Sequence, residues 1–139
     1  MKTAQEFFQE LIMLYRPFEN KLNLKLARHN LQRAQWTILY YLYQKGPASN
    51  VEISHYQSVE KPTITRTIHR LEEAGYIEKI PGRDKREKRM KLTEKGTAVY
   101  QDVRVAIDHF EQEILKGISE EKQIEVIGIM KQIRQNINS

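Results

Sequence analysis

The stretch from residue 49 to residue 93, "SNVEISHYQSVEKPTITRTIHRLEEAGYIEKIPGRDKREKRMKLT", leaves the chain few folds. Ser49 with Glu52 three residues later is a capping-box pattern, so a short helix begins there. A break follows at residues 58–61, and Pro62 suits the first turn of another helix. In that helix Ile64, Ile68 and Leu71 share one face. Gly75 stands where a left-handed residue commonly ends a helix. Residues 76–80 then read as a strand and Pro81-Gly82 as a turn. Residues 89–92, "RMKL", alternate polar and apolar as a half-buried strand does. Two short helices across a tight turn, followed by a β-hairpin, describe a winged helix-turn-helix. The turn lacks the glycine often found there, which leaves its geometry open but not the helix order.

The flanks are helical. Phe7, Phe8, Leu11, Ile12, Leu14, Tyr15, Phe18 and Leu22 recur at three- and four-residue spacing, which predicts a helix running to about residue 28. Pro17 lies inside it and should kink or split it near residues 14–16. After a break at His29-Asn30, "RAQWTILYYLYQKG" reads as a second helix that puts Trp36, Leu39, Leu42 and Tyr43 on one side and stops at Gly46-Pro47. Thr93 can cap a long helix over residues 94–116, with Val99, Val103, Ala106, Ile107, Phe110 and Ile114 at helical spacing. Ser119 caps a last helix carrying Ile124, Ile127, Met130, Ile133 and Ile137, with Val126 and Ile129 besides. The fold class is therefore mainly α with a small β-hairpin wing. A winged helix-turn-helix over residues 31–96 is flanked by helices from residues 1–30 and 97–139. Broad apolar stripes at both ends of a 139-residue chain have few partners within it, and a second copy would bury them. The expectation is a homodimer joined through the flanking helices.

The charge is local. The chain carries a formal +5, and the segment from Lys79 to Lys91 alone nets +5: Lys79, Arg83, Lys85, Arg86, Lys88, Arg89 and Lys91 against Asp84 and Glu87. One basic surface argues for one anionic contact rather than general stickiness. A cluster of this kind gains little as a solvated loop, but against phosphates it releases counterions and strengthens binding. The second short helix completes the case for DNA. Its inner face is apolar, whereas Thr63, Arg66 and Arg70 share the opposite face. Lys61, Pro62, Thr63, Thr65 and Arg66 occupy the leading turns, from which recognition helices read bases in a major groove about 12 Å wide. Arg66 can bond guanine through both nitrogens, and a threonine methyl can pack on a thymine methyl. Lys61, Arg70, Arg83, Lys85 and Lys88 suit phosphate contacts. The expected partner is a double-stranded, pseudo-palindromic operator read by two helices about one DNA turn apart. A surface helix with ordinary polar residues outside is the plainer alternative for this segment taken by itself.

The run "ITRTIHRLEEAGYIEKIPGRDKREKRMKLTEKG" resembles the signature of the MarR family of bacterial transcriptional regulators. The matching elements are Arg70-Leu71-Glu72, Gly75, Asp84-x-Arg86, Leu92-Thr93 and Gly96; "QWTILYYL" resembles the family's second helix. The resemblance implies a dimer whose first and last two helices interdigitate. It implies that Arg86 enters the minor groove from the wing tip, and that Asp84 pairs with a nearby arginine to shape the loop. It also implies a repressor released from DNA by a small aromatic or phenolic effector, bound between the dimer helices and the DNA-binding domain.

Other readings carry less. Tyr15, Phe18, Trp36, Tyr40 and Tyr41 either line an effector pocket near the hinge or are core and interface packing. Arg16 is the nearest cation for a carboxylate on such an effector. The absence of cysteine excludes disulfides, thiolate metal sites and thiol redox sensing. His29, His55, His69 and His109 form no pair at ligand spacing, so no metal and no cofactor is expected. No nucleophile elbow, phosphate-binding glycine loop or His-Glu-x-x-His occurs, and an enzyme is not expected. No stretch approaches the roughly 18 apolar residues of a membrane span, and the N-terminus lacks a signal-peptide pattern. The expectation is a cytoplasmic protein without a membrane partner. The competing function is a protein-interaction adaptor that keeps the scaffold without specific DNA binding.

Overall fold

The computed structural model describes residues 1–57, 61–82, 84 and 87–139, with the backbone alone at residues 57, 61 and 62. The elements run α1 (Lys2–Ala27), α2 (Arg33–Lys45), β1 (Ala48–Ser49), α3 (Asn50–Gln57), α4 (Lys61–Glu73), β2 (Ile77–Pro81), β3 (Lys88–Leu92), α5 (Glu94–Ile114) and α6 (Glu120–Asn138). This is a helical fold carrying a small antiparallel sheet of order β1-β3-β2, a winged helix-turn-helix as the sequence predicts. The chain divides into two compact units, 1–107 and 108–139.

In the first unit the helix ends are written locally. α1 stops at a left-handed Asn30 (φ 58°). There the Asn30 N–H donates to the Ala27 carbonyl at 3.0 Å and the Leu31 N–H to the Leu26 carbonyl at 3.1 Å, a paired closure typical of helix C-termini. α4 closes the same way. Gly75 (φ 81°) donates to the Glu72 carbonyl at 2.9 Å and Tyr76 to the Leu71 carbonyl at 3.0 Å. α2 begins with reciprocal capping between Gln32 and Gln35, the Gln32 N–H donating to Gln35 Oε1 at 2.8 Å. Pro17 does not split α1, which stays helical through it to Ala27. A proline removes one backbone bond and crowds the preceding turn. The turns on either side keep their own bonds, and Leu22 and Leu26 anchor the far end in the core.

The core of this unit gathers one face from each element. Ile38, Leu39 and Leu42 of α2, Ile53 of α3, and Ile64, Ile68 and Leu71 of α4 are almost fully buried, as are Ile77 of β2 and Met90 of β3. Each such side chain contributes roughly 1.5–3 kcal/mol on burial. Trp36 is also buried and stacks on Tyr100 of α5 at 5.0 Å, and Tyr100 in turn stacks on Tyr43 at 4.4 Å. The sequence stripe on α5 omits Tyr100, which is nonetheless buried, as are Val103 and Ile107 of the same helix.

Among the described residues, the strand β1 is the one element the sequence does not foretell. Ala48 pairs with Met90 and Ser49 with Arg89. Ser49 still caps α3, its hydroxyl accepting from the Glu52 N–H at 3.2 Å and donating to Glu52 Oε1 at 3.3 Å. β2 pairs with β3 from Ile77↔Leu92 to Pro81↔Lys88, one residue beyond the predicted strand. Pro81 fits because β2 is an edge strand.

The second unit holds the end of α5 and all of α6. Ser119 caps α6, accepting from the Lys122 N–H at 3.2 Å. α6 buries none of its residues; Ile124, Val126, Ile127, Ile129, Met130 and Ile137 are exposed. In the first unit, α1 exposes Phe7, Phe8, Leu11, Ile12, Leu14 and Tyr15. Among the described residues no helix is long and apolar enough to cross a membrane.

Candidate nucleic-acid interface

α4 is amphipathic in the sense a recognition helix requires. Ile64, Ile68 and Leu71 face the core at 1%, 2% and 0% exposure, whereas Thr63, Thr65, Arg66, His69 and Arg70 are exposed. The outer face is partly ordered by its own bonds. Arg66 Nη2 donates to Thr63 Oγ1 at 3.4 Å, and the Thr67 hydroxyl donates to the Thr63 carbonyl at 3.0 Å. His69 Nε2 lies 2.8 Å from Glu73 Oε1 one turn on. Arg70 reaches off the helix, donating from Nη1 to Gln32 Oε1 at the start of α2, 3.3 Å away. Gln32 thus joins the outer surface, a residue that sequence reasoning passes over because its partner is 38 positions away.

The wing stands beside this helix. Lys79 of β2 lies 3.8 Å from Glu72 of α4, and Lys91 lies 3.4 Å from Glu78 across the hairpin. The hairpin turn is closed by Gly82 donating to the Glu87 carbonyl at 2.9 Å and by Glu87 donating to the Asp84 carbonyl at 3.0 Å. Asp84 and Lys88 are exposed. A groove of about 610 Å³ runs between the start of α3 and the hairpin, lined by Ser49, Asn50, Val51, Lys79, Asp84, Glu87, Lys88 and Met90. Arg83, Lys85 and Arg86 lie outside the described residues, as do the side chains of Lys61 and Pro62.

Three positions of the signature explain themselves at the root of the wing. The Thr93 hydroxyl donates to the Gly75 carbonyl at 2.6 Å and accepts from the Gly96 N–H at 3.0 Å. The Thr93 N–H donates to the Tyr76 carbonyl at 3.0 Å. That carbonyl passes so close to Gly96 that any Cβ there would overlap it. The end of α4, the start of β2 and the first turn of α5 are thereby locked together.

The residues expected at an effector pocket are dispersed in burial. Tyr15, Arg16 and Tyr40 are exposed, Phe18 is half-buried, and Trp36 is inside the aromatic stack, with the Arg104 guanidinium 5.5 Å above its ring. Tyr41 packs on Tyr56 at 4.5 Å.

Known proteins share both the sequence pattern and this geometry. The MarR family profile matches residues 31–88. An uncharacterized HTH-type transcriptional regulator of Staphylococcus aureus is 34% identical over 135 residues, covering 95% of this chain and 92% of that protein. The uncharacterized HTH-type transcriptional regulator YwoH of Bacillus subtilis is 42% identical over 101 residues, covering 73% and 74%. Among solved structures, Staphylococcus aureus MarR in complex with salicylate and kanamycin superposes with a TM-score of 0.86 at 33% identity, over 98% of this chain and 93% of that one. A mutant of MarR from E. coli, complexed with operator DNA, shares the fold with a TM-score of 0.79 at 23% identity, over 92% and 93%. With a helix-turn-helix whose outer face is polar, a basic wing and relatives matched along nearly their whole length, the chain belongs to the MarR family of transcriptional regulators.

Proposed function

We propose that the chain acts in the cytoplasm as a homodimer that binds a pseudo-palindromic operator and represses transcription until a small aromatic effector releases it. The observation that carries this reading is the outer face of α4. Thr63, Thr65, Arg66 and Arg70 are exposed over a fully buried inner face, beside a basic hairpin. Thr63 and Arg66 read bases in the major groove. Arg70 and Lys88, with Lys61, Arg83 and Lys85 by sequence, hold phosphates. Arg86 probes the minor groove, where a narrow groove attracts arginine, and Asp84 shapes the tip.

Residues 31–96 form the DNA-binding part, and residues 1–30 with 97–139 the dimerisation part. The exposed apolar residues of α1 and α6 support pairing with a second copy, since monomers rarely leave such surfaces to water. Effector release is supported by the salicylate held in the complex of Staphylococcus aureus MarR. Tyr15, Arg16, Phe18, Trp36 and Tyr40 are the residues assigned to that pocket.

The test is fluorescence anisotropy on duplex DNA from the promoter of the chain's own gene. Wild type binds with a steep salt dependence; Arg86→Ala weakens binding and flattens the salt slope by about one unit. Equal affinity and slope in the variant would reject the wing assignment. Affinity indifferent to duplex sequence would favour the adaptor reading instead.

A further inference from the structure

Arg89 occupies the point where the sheet changes from three strands to two. On β3 it is paired on both sides, with Ser49 of β1 and Ile80 of β2. The next residue toward the tip, Lys88, pairs with Pro81 of β2 alone. A two-stranded ribbon is marginal by itself and twists freely. The direction in which the wing projects is therefore decided at Arg89.

Its guanidinium is held there by groups from three places in the chain. Nη1 donates to Glu52 Oε1 at 3.2 Å and to Glu87 Oε1 at 3.1 Å, and Nη2 donates to the Pro47 carbonyl at 2.7 Å. Pro47 precedes β1, Glu52 is in the first turn of α3, and Glu87 closes the hairpin turn. Glu52 is itself fixed by Ser49 through the α3 cap. The side chain is 24% exposed, so this planar fork works in partial shelter from water. The wing's root is thus tied to the first helix of the helix-turn-helix by a charged clamp.

We infer that Arg89 and Glu52 form a positioning pair that sets the angle of the wing relative to the helix-turn-helix, rather than Arg89 serving as one more phosphate contact of the basic hairpin. Wing and α4 must meet different parts of one duplex together, so a loosened clamp costs affinity even where no DNA contact is removed. The inference rests on the DNA-binding reading above, and two measurements separate the two.

The first is binding of the full-length protein to a duplex selected by wild type from a random library. The variants are Arg89→Gln, Glu52→Gln and both together. Glutamine at 52 keeps the α3 capping pattern while removing the charge. Removal of a negative charge should by itself tighten binding to DNA. The clamp predicts the opposite: Glu52→Gln weakens binding about fivefold to tenfold, and the double variant loses no more than Arg89→Gln alone, as coupled residues do. Tighter or unchanged binding by Glu52→Gln, or losses that add, overturns the inference. A salt slope lowered by about one unit in Arg89→Gln, with Glu52→Gln neutral, would show a direct phosphate contact and overturn it as well.

The second needs no DNA. Amide exchange at Gly82 and Glu87 accelerates in both single variants while Met90 stays protected. Unchanged exchange at the turn overturns the clamp even if no DNA motif is ever selected.

Discussion

The Thr93 hydroxyl donates to the Gly75 carbonyl at 2.6 Å, across 18 positions of sequence. The bond joins the C-terminal end of α4 to the residue that caps α5. The same oxygen accepts from the Gly96 N–H, so a single side chain caps one helix and closes another. Thr93→Val keeps the shape and removes both bonds. It should lower unfolding stability by about 1–2 kcal/mol in urea titration, and Thr93→Ser should recover most of that. A valine variant as stable as wild type would deny the link.

Gly96 makes a sharper case. A Cβ there would overlap the Tyr76 carbonyl, and backbone cannot yield as a flexible side chain does. Gly96→Ala is expected to cost about 3 kcal/mol, at the upper end for overpacking. Gly75→Ala is different. No atom lies closer than 3.6 Å to its added Cβ, so the cost is that of holding alanine at φ 81°, about 1–2 kcal/mol. Thermal unfolding of the two variants side by side should show that order.

Trp36 is the chain's single tryptophan, buried at 6% exposure against Tyr100. Its emission should shift to the red in one cooperative step as the first unit unfolds. Tyr100→Ala removes the middle ring of the Trp36–Tyr100–Tyr43 stack and should destabilise by about 3–5 kcal/mol, as loss of a large buried aromatic does. The same fluorescence titration reads both.

The exposed apolar residues of α1 and α6 make a prediction about assembly. Phe8→Glu and Ile127→Glu each place a charge on such a surface. Sedimentation equilibrium should then show dimer dissociating to monomer at concentrations where wild type stays paired. Wild type sedimenting as a monomer would remove the dimer from the account.

Much of this fold is legible because its signals are local. Ser49 and Glu52 sit three residues apart, Gly75 follows its helix directly, and Ile64, Ile68 and Leu71 repeat at helical spacing. The outer face of α4 follows from the pattern, since polar and charged residues opposite an apolar stripe mark the side left to water. What stayed hidden depends on partners far along the chain. The strand β1 has two residues, and only its pairing with Met90 and Arg89 makes it a strand. Arg89 looks in sequence like one more basic residue of the hairpin. Its partners at Glu52 and Pro47 lie 37 and 42 positions away. At Pro17 the helix runs on unsplit, the turns on either side outweighing one missing backbone bond.

The central claim is that α4 and the wing together select a DNA sequence, and selection from random duplexes tests it most directly. The account predicts a pseudo-palindromic motif for wild type, with half-sites about 10 base pairs apart centre to centre. It further predicts that Arg66→Ala relaxes one position of each half-site by about 1–3 kcal/mol of discrimination. Wild type returning no motif, or Arg66→Ala returning the unaltered one, would contradict it.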